Sequence, residues 1–210
     1  MITKIDGEMK PNPWKETFTD PQNIVALGVT LISACALFVS ITQTRIMSEQ
    51  RALMYEQAKA AVWPRLSLTI SKSHEQINNS IIDYSLVLSN KGVGPAIISG
   101  VKVSYKEKVI NNWWALFREF EMPDSVDTFI SNSPFNNTIV KIGDEYKVLN
   151  LKDNLPLANK FFQNSLDIRM EVYYESIYGD KWKLTLDTLG PRTIEIPKEF
   201  ELLEEDQFLN

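Results

Sequence analysis

Gln57-Ala58-Lys59-Ala60-Ala61-Val62-Trp63-Pro64-Arg65-Leu66-Ser67-Leu68-Thr69-Ile70-Ser71 is the stretch in which this 210-residue chain changes its period. From Gln43 to Val62 no glycine or proline intervenes, and Ala, Leu, Met, Glu, Gln and Arg dominate, all good helix formers. Pro64 cannot continue a helix and pushes Trp63 toward an extended conformation. Beyond it Leu66, Leu68 and Ile70 alternate with Ser67, Thr69 and Ser71, the pattern of a half-buried strand. A helix therefore meets a β-rich domain at residues 63–64.

Working back from that point, residues 44–63 read as a helical stalk and 21–43 as a membrane-spanning helix, preceded by a tail at 1–20. Pro21 to Thr44 contains no charge, and Ile24–Ile41 reads IVALGVTLISACALFVSI. About 20 helical residues cross a ~30 Å hydrocarbon layer. Thr19 or Asp20 is placed to cap this helix, Pro21 falls at its first position, and Trp14 and Phe18 lie where an interfacial belt belongs. Ile32-Ser33-Ala34-Cys35 resembles a lipoprotein cleavage box, but the apolar run continues through Ala36-Leu37-Phe38-Val39, which argues against a cleaved signal. Lys4, Lys10 and Lys15 precede the span and Arg45, Arg51, Lys59 and Arg65 follow it, nearly a tie. Arg45, closest to the apolar core, tips the expectation toward a single-pass protein of the plasma (inner) membrane with its β-domain in the cytoplasm. Ala26, Thr30 and Ala34 recur every four residues, a spacing that lets helices approach closely. In the stalk Gln43, Gln50 and Gln57 repeat every seven residues, with Met47, Met54 and Ala61 between them. Such a seam predicts a soft coiled coil, and the two stripes together predict a homo-oligomer formed through anchor and stalk; a lone helix lying on the membrane or on its own domain is the other reading.

Working forward, period-two alternation recurs at Tyr84-Leu86-Leu88, Val101-Val103-Tyr105, Leu166 to Tyr174 and Trp182-Leu184-Leu186, with further candidates at 138–142, 145–151 and 193–196. About eight one-sided strands imply antiparallel sheets packed face to face, a β-sandwich over residues 64–197. Gly143-Asp144 and Gly179-Asp180 are turn pairs. Trp113, Leu116, Phe117 and Phe120 share one face of a helix after the cap candidates Asn111 and Asn112, and a second short helix is expected at 156–164. Residues 198–210 form an acidic tail, read first as a solvated end and second as a short partner-binding helix.

Three patterns, Trp63-Pro64-x-Leu66 after a Gln-rich helix, Asn90-x-Gly92-x-Gly94-Pro95-Ala96 between strands, and Tyr174-x-Ser176-Ile177-Tyr178-Gly179-Asp180-x-Trp182 in a late hairpin, resemble a broad set of uncharacterised bacterial single-pass membrane proteins. The Asn-x-Gly-x-Gly-Pro-Ala turn is also similar to one in immunoglobulin-like adhesion modules of bacteria. The resemblance implies an immunoglobulin-like sandwich and carries over no catalytic residue. The insertion around 111–137 departs from a minimal sandwich.

Chemistry is sparse. One cysteine, Cys35, and one histidine, His74, supply no zinc cluster and no Cys–His dyad. Nucleophile-elbow, phosphate-loop and metalloprotease motifs are missing, and Pro95 rules out a dinucleotide fingerprint at Gly92-x-Gly94. A net charge of −5 without a basic stripe argues against nucleic acid as a partner. The aromatics are the best binding candidates: Trp113 and Trp182 face the core by period, whereas Trp114, Tyr173 and Tyr178 are candidates to face a partner, a second buried layer under the insertion being the other reading. The expectation is a membrane-anchored binding or sensing module for a protein or small-molecule ligand, with no cofactor and no catalytic activity. An oligomeric membrane effector (ligand-triggered membrane perturbation, as in antiphage defence) is the alternative, and an undetected enzyme the third.

Overall fold

The computed structural model of the chain describes residues 21–74, 81–121, 137–152 and 155–209. The cap and belt residues before Pro21, the lysines among them, and most of the 111–137 insertion lie outside these. The chain forms two compact units, one ending at Glu56 and the other beginning at Gln57.

Helix α1 (Pro21–Ala61) is continuous over 41 residues and buries none of them. It is long and apolar enough to cross a membrane. Its hydroxyls are satisfied by the helix itself: Thr30 donates to the Ala26 carbonyl at 2.8 Å, Ser33 to Val29 at 2.8 Å, Thr42 to Phe38 at 2.9 Å and Thr44 to Ser40 at 2.9 Å. A segment that enters lipid needs this, because hydrocarbon offers no partner.

The second unit contains β1 (Leu66–His74), β2 (Ile81–Asn90), β3 (Ala96–Tyr105), β4 (Lys108–Ile110), α2 (Trp113–Glu119), β5 (Ile139–Val140), β6 (Glu145–Asn150), α3 (Leu155–Gln163), β7 (Ile168–Glu175), β8 (Lys181–Asp187) and β9 (Gly190–Ile196). One sheet runs β1-β2-β6 and the other β4-β3-β7-β8-β9, with β5 on the β3 edge; every pairing is antiparallel. The chain changes sheets between β2 and β3, between β5 and β6 and again between β6 and β7, the arrangement of an immunoglobulin-like sandwich extended by β9. Alternation explains which side chains meet. Val172 opposes Leu184 and Tyr174 opposes Trp182, while Leu66, Leu68, Tyr84, Leu86 and Leu88 of the facing sheet close the same core. Asn112 caps α2 by accepting the Ala115 N–H at 2.8 Å, and α3 docks on β2 with Phe161 4.9 Å from the Tyr84 ring.

The last residues depart from a solvated tail. Residues 198–209 form a strap on the outer face of the β3-β7-β8 sheet. Phe200 stacks on Tyr173 at 5.1 Å, Lys102 pairs with Asp206 at 2.7 Å, and Phe208 is 1% exposed with its ring 4.9 Å from Trp113. The Phe208 N–H donates to the Val101 carbonyl at 2.7 Å and the Leu209 N–H to Asn111 at 2.6 Å, using the β3 edge between β4 and β5. The acids at 199, 201, 204, 205 and 206 concealed this docking, because they break the apolar residues at 200, 202 and 208 into a pattern that reads as a solvated end.

Candidate functional site

The three sequence patterns meet at one end of the sandwich, around the last turn of α1. Asn90 is 1% exposed and uses every hydrogen-bonding position of its side chain. Its Oδ1 accepts from the Gly92 N–H at 2.9 Å and the Arg65 N–H at 3.3 Å; its Nδ2 donates to the Gly94 carbonyl at 2.8 Å and the Val140 carbonyl at 3.0 Å. The loop it organises pairs with the chain leaving α1: Val93 N–H reaches the Trp63 carbonyl at 2.9 Å and Lys91 N–H the Arg65 carbonyl at 2.8 Å. From the β7–β8 turn Asp180, 7% exposed, pairs with Lys59 of α1 at 3.1 Å and with Lys198 at the start of the strap at 2.9 Å. Burial would raise the Asp180 pKa, but hydrogen bonds and charge from Lys198 and Lys59 outweigh it and hold the carboxylate below its ordinary value. One anion thus ties together the end of α1, the hairpin and the strap.

The predicted aromatic contact residues separate. Trp114 is 56% exposed on α2, near the Tyr105 end of its sheet. Tyr178 is half-buried in the turn at the other end, its N–H donating to Ser176 Oγ at 3.2 Å. Tyr173 is not available to a partner. It does lie on the outer face, but Phe200 covers it and its hydroxyl donates to Glu171 Oε2 at 2.8 Å. Glu171 is 8% exposed there and also accepts from Arg169 at 2.7 Å, with Lys183 at 3.3 Å. Burial raises its pKa, yet the Tyr173 and Arg169 hydrogen bonds and the Lys183 charge leave it below the usual carboxylate value. The seven oligomerisation candidates, Ala26, Thr30, Ala34, Met47, Gln50, Met54 and Gln57, are all exposed on α1. Because Thr30 already donates to Ala26, that stripe offers close approach and no spare donor.

A cavity of about 420 Å³ lies between the sheets where β1 and β2 face β7, β8 and the start of β9. Leu68, Ile70, Leu86, Ile168, Met170 and Leu186 supply aliphatic wall, with Tyr84 beside them and Phe161 of α3 and Trp113 also on the lining. These residues were legible only as core, since a period-two pattern shows which side chains point inward and not how far apart the sheets stand. A second depression of about 700 Å³, lined by Trp63, Arg65, Lys91, Trp182 and Glu195 among others, is charged. The first is the better small-molecule site, because such sites are concave, mostly apolar and carry few polar groups. The chain matches no protein-family model and no curated protein sequence.

Proposed function

We propose that this chain is a single-pass protein of the plasma (inner) membrane whose immunoglobulin-like domain, on the cytoplasmic side, binds a small molecule between its sheets and catalyses no step of its own. The inter-sheet cavity carries the reading. It is a partly open cleft of about 420 Å³ with a mainly apolar lining, the kind of concavity in which small molecules bind. The junction supports a sensing role: β1 both lines the cavity and continues from the Pro64–Arg65 segment that the Asn90 loop holds. Orientation is tested by a fluorescent reporter that matures only in the cytoplasm, fused after Asn210. A bright fusion fits this reading, and a dark one moves the domain outside and makes envelope recognition the leading role.

The effector reading keeps one observation of its own. Met47 and Met54 are 56% and 67% exposed on the stripe that also carries Gln50 and Gln57. Large apolar side chains repeating at heptad spacing suit a second copy of the helix. Gln50→Glu/Gln57→Glu places like charges in that seam. Cross-linking in native membranes is expected to show a several-fold loss of oligomer if the seam pairs, with ligand binding by the domain unchanged. Undiminished cross-linking would remove the stalk from the assembly.

A further inference from the structure

Resting on the reading of the inter-sheet cavity as a ligand site, we propose that the cavity selects an uncharged, mainly apolar molecule with a single hydrogen-bonding group, and that the Tyr84 hydroxyl recognises that group. The wall is mainly apolar, and Asp187 is its one charged residue among the described residues. Asp187 is already paired with Arg192, which does not line the cavity. A carboxylate guest would meet that acid and no cation, and a buried unpaired charge costs several kcal/mol. A cationic guest would have to displace Arg192.

Two enclosed polar groups belong to this wall, the Trp113 indole N–H, which is buried without a partner, and the Tyr84 hydroxyl. Tyr84 is 1% exposed, its ring is fixed against Phe161 at 4.9 Å, and burial is the one influence raising its pKa, with no charged or hydrogen-bonding neighbour contributing. It is therefore a neutral phenol that stays protonated throughout the physiological range, held where a guest would lie. The serines and threonines on the wall are less enclosed: Ser67 and Ser165 are half-buried, and Thr69 and Thr188 are exposed. A hydroxyl, carbonyl or lactone oxygen at the end of a hydrocarbon chain is the chemistry that satisfies an enclosed phenol and a neighbouring indole N–H in a mainly apolar cavity, since both can donate to it.

Met170 lines the cavity at 2% exposure and reports on it. The full chain is labelled with [13C-methyl]methionine in lipid nanodiscs, the Met170 signal is identified by its loss in Met170→Leu, and 1-octanol, octane and octanoate are titrated at pH 7. Octanol and octane are expected to move the signal and octanoate to leave it unmoved. Tyr84→Phe should raise the octanol midpoint about five- to tenfold, the worth of one hydrogen bond, and leave the octane midpoint unchanged. Comparing each probe with itself cancels its partitioning into lipid. Ile70→Trp, at a 40% exposed position on the wall, should abolish both responses. An octanol midpoint unaltered by Tyr84→Phe, or octanoate titrating as tightly as octanol, overturns the ligand class while leaving the cavity as a site. No movement with either octanol or octane overturns the cavity reading itself.

Discussion

Gly94→Ala is expected to destabilise the β-domain by about 3 kcal/mol or more, lowering its thermal midpoint by roughly 10 °C. A Cβ at Gly94 would overlap the carbonyl carbon and oxygen of Val62 and stand 2.7 Å from its Cα. At Gly92 a Cβ would stand 2.5 Å from the Trp63 carbonyl oxygen and 2.7 Å from the Pro64 carbonyl carbon. These are main-chain atoms, so no flexible side chain can swing away. The main chain is also pinned: Val62 N–H donates to Lys59 at 3.2 Å and the Trp63 carbonyl accepts from Val93 at 2.9 Å. Relieving the overlap means withdrawing the loop, which breaks the Asn90 network and leaves buried polar groups without partners, at about 1–3 kcal/mol each. Gly143 is the control. Its φ of +77° strains an alanine, but no atom lies within 4 Å of the added Cβ, so Gly143→Ala is expected to cost only about 1 kcal/mol. Thermal denaturation of the full chain in detergent compares the two, and equal losses would show that the loop is not wedged against the end of α1.

That result also bears on what the sequence reveals. Each of the three motif patterns was legible as a turn or strand start, because glycine, proline and asparagine state their backbone needs locally. That they gather around Val62–Arg65 was not legible, since close approach depends on which residues the fold brings opposite. The strands followed their alternation best where one face is buried, as at Val101-Val103-Tyr105. They failed where the chain turns without a signal. The β3–β4 turn holds Lys106 and Glu107 at φ of 47° and 68°, the geometry of a tight hairpin, although neither residue favours it, so the short β4 went unread. Leu166 continued the alternation of β7 on paper, but Ser165–Asp167 forms a 3-10 turn and leaves it 69% exposed. Tyr173 was placed on the correct face and given the wrong surroundings, because what covers it is 27 residues further along the chain, at Phe200.

Phe208→Ala tests that covering segment and is expected to cost about 3–5 kcal/mol, the range for emptying a buried aromatic site. Phe208 is the deepest residue of the strap, with Trp113 against its ring, and Trp113 in turn packs on Phe117 and Phe161 at 6.4 and 6.3 Å. Its loss opens a hole in the aromatic cluster that ties α2 and α3 to the sheets. The rest of the strap holds less firmly. Lys102 and Asp206 are each about one-quarter exposed, where an ion pair adds at most about 1 kcal/mol. Leu203 is 62% exposed, so Leu203→Ala should change stability by no more than about 0.5 kcal/mol. Glutamates at 199, 201, 204 and 205 make the strap a substrate for a glutamate-specific protease once it lifts. Wild type and Leu203→Ala should resist cleavage there, while Phe208→Ala is cut many times faster, with the Tyr173–Glu171 pair then open to water. If Phe208→Ala proved as stable and as protease-resistant as Leu203→Ala, the strap would be held by its polar contacts, and the aromatic cluster would close without it.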